Sequence, residues 1–333
     1  MVGNTEAYKI VDYYRPVVDD RTRAETLDTE FPYYAQALGL QAVTLVDLSD
    51  NLSGTFKWRG AFVGASALKE QGVDHMIVPS AGNHARGAVL AAKALDMDVT
   101  IAVPASAPPA KRQHLRELWD SHRLRVVTAG TTFDESLTWA LAQEGDLLHP
   151  YDDPAVISGQ GTAADDILSS VPDVQHIVTP IGGGGLATGI QQRLAELGRD
   201  DITVHLAEAE GSNGLRKSIR EGVLTDADAP NVRFGGSCVK RAGHNAFALF
   251  RAQPDLSIVQ VPESDVDELS YWYDLSRHEL MRTSLPNFEP TSLVAVAALK
   301  QLRHLEGQTV VVGTGKNDTI YPSKQTRGYR VPV

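Results

Sequence analysis

The stretch "HIVTPIGGGGLATG", residues 176–189, runs from a short apolar strand through four glycines, Gly182, Gly183, Gly184 and Gly185, into a helix that begins near Leu186. Strand, glycine turn and helix in immediate succession form the unit of an α/β fold. Several backbone N–H groups can converge there on an anion at a helix N-terminus. A turn that merely packs helix against strand needs fewer than four consecutive glycines, so phosphate binding is the natural reading. A dinucleotide reading stands beside it. Gly182, Gly184 and Ala187 satisfy G-x-G-x-x-A, and Glu208 ends the next strand, where a ribose-binding acid would lie.

The same alternation extends outward from His75. "HMIVP", "VTIAVP", "LRVVTA", "TVHLAEA" and "TVVVGTG" read as buried parallel strands. Between them "HARGAVLAAKALD", "PAKRQHLRELWD", "TFDESLTWALAQEG" and "LATGIQQRLAELG" read as helices with one apolar face and a stop at Gly or Asp. This is a doubly wound α/β pattern, which binds ligands at the carboxyl ends of its strands. Three loops lie there: "SAGNHA", "GGGGLATG" and "TGKND". The region from Asp226 to Asn245 is the least regular, and no internal repeat stands out.

Bulk composition narrows the ligand. The 333 residues suffice for two domains with proper cores, and the formal net charge of -11, with no basic stripe, argues against a nucleic-acid partner. Cys238 is the only cysteine, so an internal disulfide is impossible and a cysteine-built zinc site is excluded. The start "MVGNTEAYKIVDYYRPVV" lacks the layout of a secretory signal, and no apolar run approaches membrane-spanning length. The expectation is a cytoplasmic protein acting on a small molecule, with neither nucleic acid nor membrane as partner.

Two further features bear on chemistry. In "NLSGTFKWRGA", Asn51 to Ala61, Lys57 falls in the first turn of a helix that Thr55 or Ser53 could cap. The positive end of the helix dipole is the wrong place for a cation. A lysine set against that field, between Phe56 and Trp58, is more easily deprotonated, as Schiff-base chemistry requires. In "SAGNHARG", backbone N–H groups and the Ser80 hydroxyl suit a carboxylate, while Asn83 alone reads equally well as a helix cap. Two anion-suited loops plus an oddly placed lysine fit one ligand type. It is a phosphorylated aldehyde cofactor that joins a lysine and then receives an amino-acid carboxylate.

"GTFKWRGA", "SAGNHARG", "GGGGLATG", "EPTSLVAVAAL" and "TGKN", in this order and over most of the chain, resemble the pyridoxal-phosphate enzymes of the tryptophan-synthase-β fold. Within them the chain is similar to the threonine dehydratase and serine racemase group, and "FGGSCVKRAGHNAF" resembles that group's segment after the phosphate loop. The resemblance implies two doubly wound parallel-sheet domains with pyridoxal 5'-phosphate between them. It implies a large cofactor-binding domain of residues 1–64 and 149–333 and a small substrate-carboxylate domain of 65–148, in a homodimer. Lys57 would hold the cofactor as a Schiff base and move the Cα proton. Phe56 would border the ring, Asn83 would hydrogen-bond its phenolic oxygen, Gly182 to Leu186 would cradle the phosphate, and Thr314 would face the pyridine nitrogen. Ser80, Ala81, Gly82, Asn83 and His84, with Gln160, would hold the substrate carboxylate. A hydroxyl at Thr314 gives weak support for a protonated ring, so prompt loss of a β-substituent is the easier outcome.

The implied activity is an ammonia-lyase acting by β-elimination on an L-β-hydroxy amino acid, giving a 2-keto acid and ammonia. The cofactor phosphate would protonate the leaving group, because no Asp or Glu occurs in the three loops before Asp318. Alternatives are a synthase working by β-replacement or in the manner of threonine synthases, an NAD-dependent dehydrogenase, and a non-catalytic binding protein. The sequence also departs from the dehydratase pattern. The "DNLSGTFK" entry is closer to threonine synthases, Arg86 stands where glutamine is usual, and Gly235 stands where aspartate is usual. Arg86 would extend the substrate range toward acidic side chains. Glu208 matches one ligand of a divalent-cation site found in some members, but Gly214 replaces a second carboxylate, so no metal is expected. "TGKND" stands close to the end of the sequence, so the C-terminal regulatory domain of allosteric dehydratases is not expected. Racemases of the group carry a serine where Ala81 stands, so elimination without racemisation is expected.

Overall fold

A computed structural model describes residues 4–26, 32–40, 42–279 and 288–316. Its strands are β1 (Arg23–Thr26), β2 (Val43–Asp47), β3 (His75–Pro79), β4 (Asp98–Val103), β5 (Leu124–Thr128), β6 (Asp146–Leu147), β7 (His176–Ile181), β8 (Thr203–Ala209), β9 (Ser257–Val261) and β10 (Thr309–Gly313). They form a six-stranded sheet of order β1-β2-β10-β7-β8-β9 and a four-stranded sheet of order β5-β4-β3-β6. All pairings are parallel except β1 with β2. The α/β class and the two parallel-stranded sheets expected from the sequence are therefore present.

Both sheets reverse their winding. From β7 the chain proceeds to β8 and β9 on one side, whereas β10 lies on the other side beside β2. From β3 it proceeds to β4 and β5, whereas β6 lies on β3's opposite edge. A crevice opens at the carboxyl ends of strands at each such reversal. The residues there are Gly182–Gly185 after β7 and Thr314 after β10 in the large sheet, and Ser80–Asn83 after β3 and His149–Pro150 after β6 in the small one.

Alternation along the strands divides the core. Val310 and Val312 join Val46, Ile177 and Leu206 on one face of the large sheet, packed by Ile167, Ile190, Leu194 and Phe250. Val311 joins Leu45, Val178 and Ala207 on the other face, against Leu269 and Leu293–Leu299. A third cluster combines the small sheet with Ala7, Val11 and Val18 of the N-terminal helix and with Trp58, Phe62 and Ala65. The helix Lys57–Glu70 thus packs as one body with the small sheet, and the expected boundary between residues 64 and 65 falls inside it. Its approach to the helix Asn83–Leu95 is close: a Cβ on Gly87 would stand 2.9 Å from Trp58 Cα.

One buried charge cluster anchors the start of that helix. Arg59 is fully buried and donates to Asp20 at 3.1 Å, Asp166 at 2.5 Å and Thr162 at 3.3 Å. Arg15 reaches the same two aspartates. Burial works to raise the Asp166 carboxyl, but Arg59 and Arg15 prevail and hold it below the ordinary aspartate value. The associated stability is present above the ordinary aspartate pKa and is lost as pH falls through the lowered one. Asp166→Ala leaves two arginines short of a partner and is expected to cost about 3–5 kcal/mol in urea unfolding at neutral pH. A loss below about 1 kcal/mol would show that the cluster contributes no such anchoring.

Candidate active site

The helix Lys57–Glu70 begins without a side-chain cap; Phe56 precedes it in right-handed helical conformation. Of the two capping candidates, Thr55 accepts the Lys57 N–H on its Oγ1 at 3.3 Å, while the Ser53 hydroxyl turns to Asn51 Oδ1 and Thr55 O. The Phe56 N–H bonds to Thr314 O at 3.0 Å, which ties the lysine to the end of β10. Lys57 Nζ lies 5.2 Å from the Phe56 ring centroid and donates to Pro150 O at 2.8 Å. Desolvation lowers its pKa to about 8 against a smaller, opposing pull from Glu289. The direction agrees with the dipole argument from sequence, but the main cause is burial. Lys316, the other lysine of the ligand loops, pairs with Asp50 at 2.7 Å.

At the small sheet, Gly82 occupies the cap position and Asn83 lies inside the first turn. Asn83 is therefore no cap. Its Nδ2 donates to both oxygens of Glu289, at 2.8 and 2.9 Å, and its Oδ1 accepts from Arg86 at 2.7 Å. Arg86 is only 8% exposed, held against Asn83 and turned away from solvent. Ser80 Oγ accepts the Gly82 N–H at 3.2 Å, and a Cβ on Gly82 would meet open space. His84 is buried with Nε2 3.1 Å from Leu148 O. The carbonyl can only accept, so Nε2 carries the proton and Nδ1 is a bare lone pair. Burial, then Lys57, pushes the imidazole down to about 3. A carboxylate can thus be held by the His84 backbone N–H but not by its ring.

The glycine loop has the form of an anion cradle. A Cβ on Gly182 would lie 2.6 Å from Gly236 O, one on Gly183 2.3 Å from the Tyr151 ring, and one on Gly185 2.6 Å from Gln160 Oε1. Gly184 has φ +94°, which other residues rarely adopt. The Leu186 side chain is buried in the core, so the cradle receives only its N–H. Around the loop, Gln160 Oε1, Thr188 Oγ1 and Ser237 Oγ are buried without a hydrogen-bond partner. Orphaned hydroxyls beside helix N–H groups fit a phosphate. Gln160 Nε2 shares Pro150 O with Lys57, at 3.4 Å. Thr314 is fully buried, its hydroxyl 3.1 Å from Ser292 Oγ. Asn317 and Asp318, the end of that loop, lie outside the described residues.

Three residues escape sequence reasoning. Glu289 brings a carboxylate to the site from outside the three loops, Ser292 holds Thr314, and Pro150 supplies a carbonyl to the lysine. Glu208 does not sit open to a ribose. It is 1% exposed, and its Oε1 accepts the N–H groups of Leu215 and Arg216. Burial raises its pKa to about 7. Among the described residues no group of three or more His, Cys, Asp or Glu could hold a metal ion.

Residues 25–315 match the family described as pyridoxal-phosphate dependent enzyme. Over 311 residues the chain is 33% identical to an L-threonine ammonia-lyase of Geobacter sulfurreducens, covering 90% of this chain and 73% of that one. A catabolic L-threonine dehydratase of Staphylococcus aureus is 31% identical over 78% of this chain and 74% of its own. A solved T.th. threonine deaminase superposes with a TM-score of 0.77 at 25% identity, over 96% of this chain and 98% of that one.

A lysine titrating near 8 is a cation below that pH and a nucleophile above it. In the protein stripped of cofactor, the rate at which Lys57 captures pyridoxal phosphate is expected to rise about tenfold per pH unit up to pH ~8 and then level off. Stopped-flow absorbance measures it. A rate still climbing beyond about pH 10 would show an ordinary, solvated lysine.

Proposed function

The chain belongs to the pyridoxal-phosphate-dependent enzymes, and from that premise we propose that it is an ammonia-lyase. It eliminates the β-hydroxyl of an L-β-hydroxy amino acid of the serine or threonine kind and yields a 2-keto acid and ammonia. The observation that carries this reading is Lys57, an amine of lowered basicity at the seam of two anion-suited crevices. Its relatives' names, threonine ammonia-lyase and threonine dehydratase, point the same way.

Pyridoxal phosphate, when bound, supplies an electron sink for charge that develops at Cα. The chain's own groups do the rest. The N–H groups of Gly182 to Leu186, with the Thr188 and Ser237 hydroxyls, hold the phosphate. Asn83 and Thr314 would meet the ring's polar atoms, and Phe56 would border it. The backbone N–H groups of Ala81, Asn83 and His84, with the Ser80 hydroxyl and Gln160, would orient the substrate carboxylate, and Arg86 adds positive charge at that end. Lys57 removes the Cα proton. It is matched to that task because an amine titrating near 8 is partly neutral at working pH yet basic enough to accept a proton.

A homodimer working in the cytoplasm belongs to the same proposal. Tyr13 and Val17 lie one turn apart on the N-terminal helix, and Leu52, whose N–H bonds to Val18 O, lies next to them; all three are exposed. Such apolar surface is suited to a partner. No helix among the described residues is long and apolar enough to cross a membrane.

Incubation with L-serine and L-threonine is expected to release keto acid and ammonia, and Lys57→Ala to lower turnover by about 10³-fold or more. Keto acid formed only when a thiol or amine is withheld would indicate a synthase. Chiral chromatography is expected to find negligible D-serine from L-serine. A single base returns the proton to the face it left, and Ala81 has no proton to give from the other. Ser80 Oγ, which accepts the Gly82 N–H, is the residue to test next if D-serine accumulates.

A further inference from the structure

Glu289 is a buried carboxylate that the reaction outlined above leaves unused. Its backbone belongs to the large sheet's side: its N–H bonds to Gly315 O at 2.9 Å, and its carbonyl accepts from Ser292 at 2.9 Å. Its side chain crosses to the small sheet's side and takes Asn83 Nδ2 on both oxygens. A Cβ on Gly315 would stand 2.3 Å from Glu289 Oε1 and 3.1 Å from Asn83 Nδ2, so the glycine keeps this crossing open.

The chemistry of the two neighbours fixes the Asn83 amide. A guanidinium can only donate, so Arg86 requires the amide oxygen; an ionised carboxylate can only accept, so Glu289 requires the nitrogen. Turned end for end, the amide would set donor against donor and acceptor against acceptor. The charged groups facing Glu289 are Arg86, Lys111 and Lys57. Around Lys57 stand Glu289 and the His84 and His149 imidazoles; both imidazoles are neutral where the lysine titrates, and Glu289 favours its positive charge.

We propose that Glu289 is the positioning residue of this site, fixing the orientation of the Asn83 amide and supplying the negative charge that faces Lys57. The inference rests on the reading that Asn83 contacts the cofactor. In this role Glu289 acts through Asn83 by contact and through Lys57 by field. Glu289→Gln preserves the size of the side chain while removing its charge and turning an N–H toward the Asn83 nitrogen or Arg86.

The test is a titration of cofactor-free protein with pyridoxal phosphate, followed by fluorescence, in four variants: wild type, Glu289→Gln, Asn83→Ala and the double substitution. Glu289→Gln is expected to weaken binding about tenfold when Asn83 is present and by less than about twofold when it is not, because the two act as one unit. It is also expected to lower the pH midpoint at which Lys57 captures the cofactor, since the charge favouring the ammonium is gone. An equal loss in both backgrounds, or unchanged affinity and midpoint, would overturn the proposal. If Glu289→Gln fails to fold, Glu289→Asp, which keeps the charge but shortens the reach, is expected to weaken binding and leave the midpoint near its wild-type value; unchanged binding overturns it. Wild-type protein that bound no cofactor would instead overturn the functional reading itself.

Discussion

The candidate site depends on drawing one amine partly out of water. Lys57 is desolvated enough to titrate near 8, and desolvation of a cation is costly unless other groups offset it. The Pro150 carbonyl, the Phe56 ring and the Glu289 carboxylate share that task from three separate segments. None of them holds unless the helix start is rigid, and two residues on from Lys57 the Arg59 cluster supplies the rigidity by tying it to Asp20 and Asp166. The buried charges are weak evidence of net stabilisation, because replacing such a cluster by apolar groups is often neutral. What they add is fixed direction.

The two crevices answer different parts of one ligand. Each arises where a parallel sheet reverses its winding, and each offers helix N–H groups to an anion. The large-sheet crevice is narrow, shut by glycines that leave no room for a Cβ, and carries hydroxyls with no partner. The small-sheet crevice is open at Gly82. A resident group suits the first and a transient one the second. Asn83 and Glu289 bridge them.

What the sequence discloses follows from how local each signal is. The strands after His75, the glycine loop and Lys57 are legible because apolar runs, consecutive glycines and a misplaced cation need only their own neighbours to be noticed. β1 and β6 escape such a reading, because Arg23–Thr26 is polar and Asp146–Leu147 is two residues long, while β2, Val43–Asp47, lies ahead of the alternation that begins at His75. Glu289 and Ser292 lie within the quoted "EPTSLVAVAAL", yet their partners are 206 and 22 residues away, and no spacing rule announces such a meeting. Thr55 and Ser53 read as caps because the rule for helix starts is statistical. Here the chain enters the helix already curled at Phe56, and Thr55 serves the lysine's own N–H instead.

The position of β10 has a temporal consequence. Among the described residues it is the last strand in sequence, but it lies in the interior of the large sheet, between β2 and β7. The small sheet is assembled from residues 75–147 and can close early as the chain leaves the ribosome. The large sheet cannot. Until Thr309–Gly313 emerges, β2 and β7 present unpaired edges toward each other across an empty slot, and such edges invite pairing with the wrong strand. Thr314, Gly315 and the Phe56 to Thr314 link that seats the lysine follow directly on that strand. A nascent chain therefore carries a finished small sheet and an unfinished centre for about half of its synthesis, and the insertion of one five-residue strand both seals the sheet and completes the candidate site.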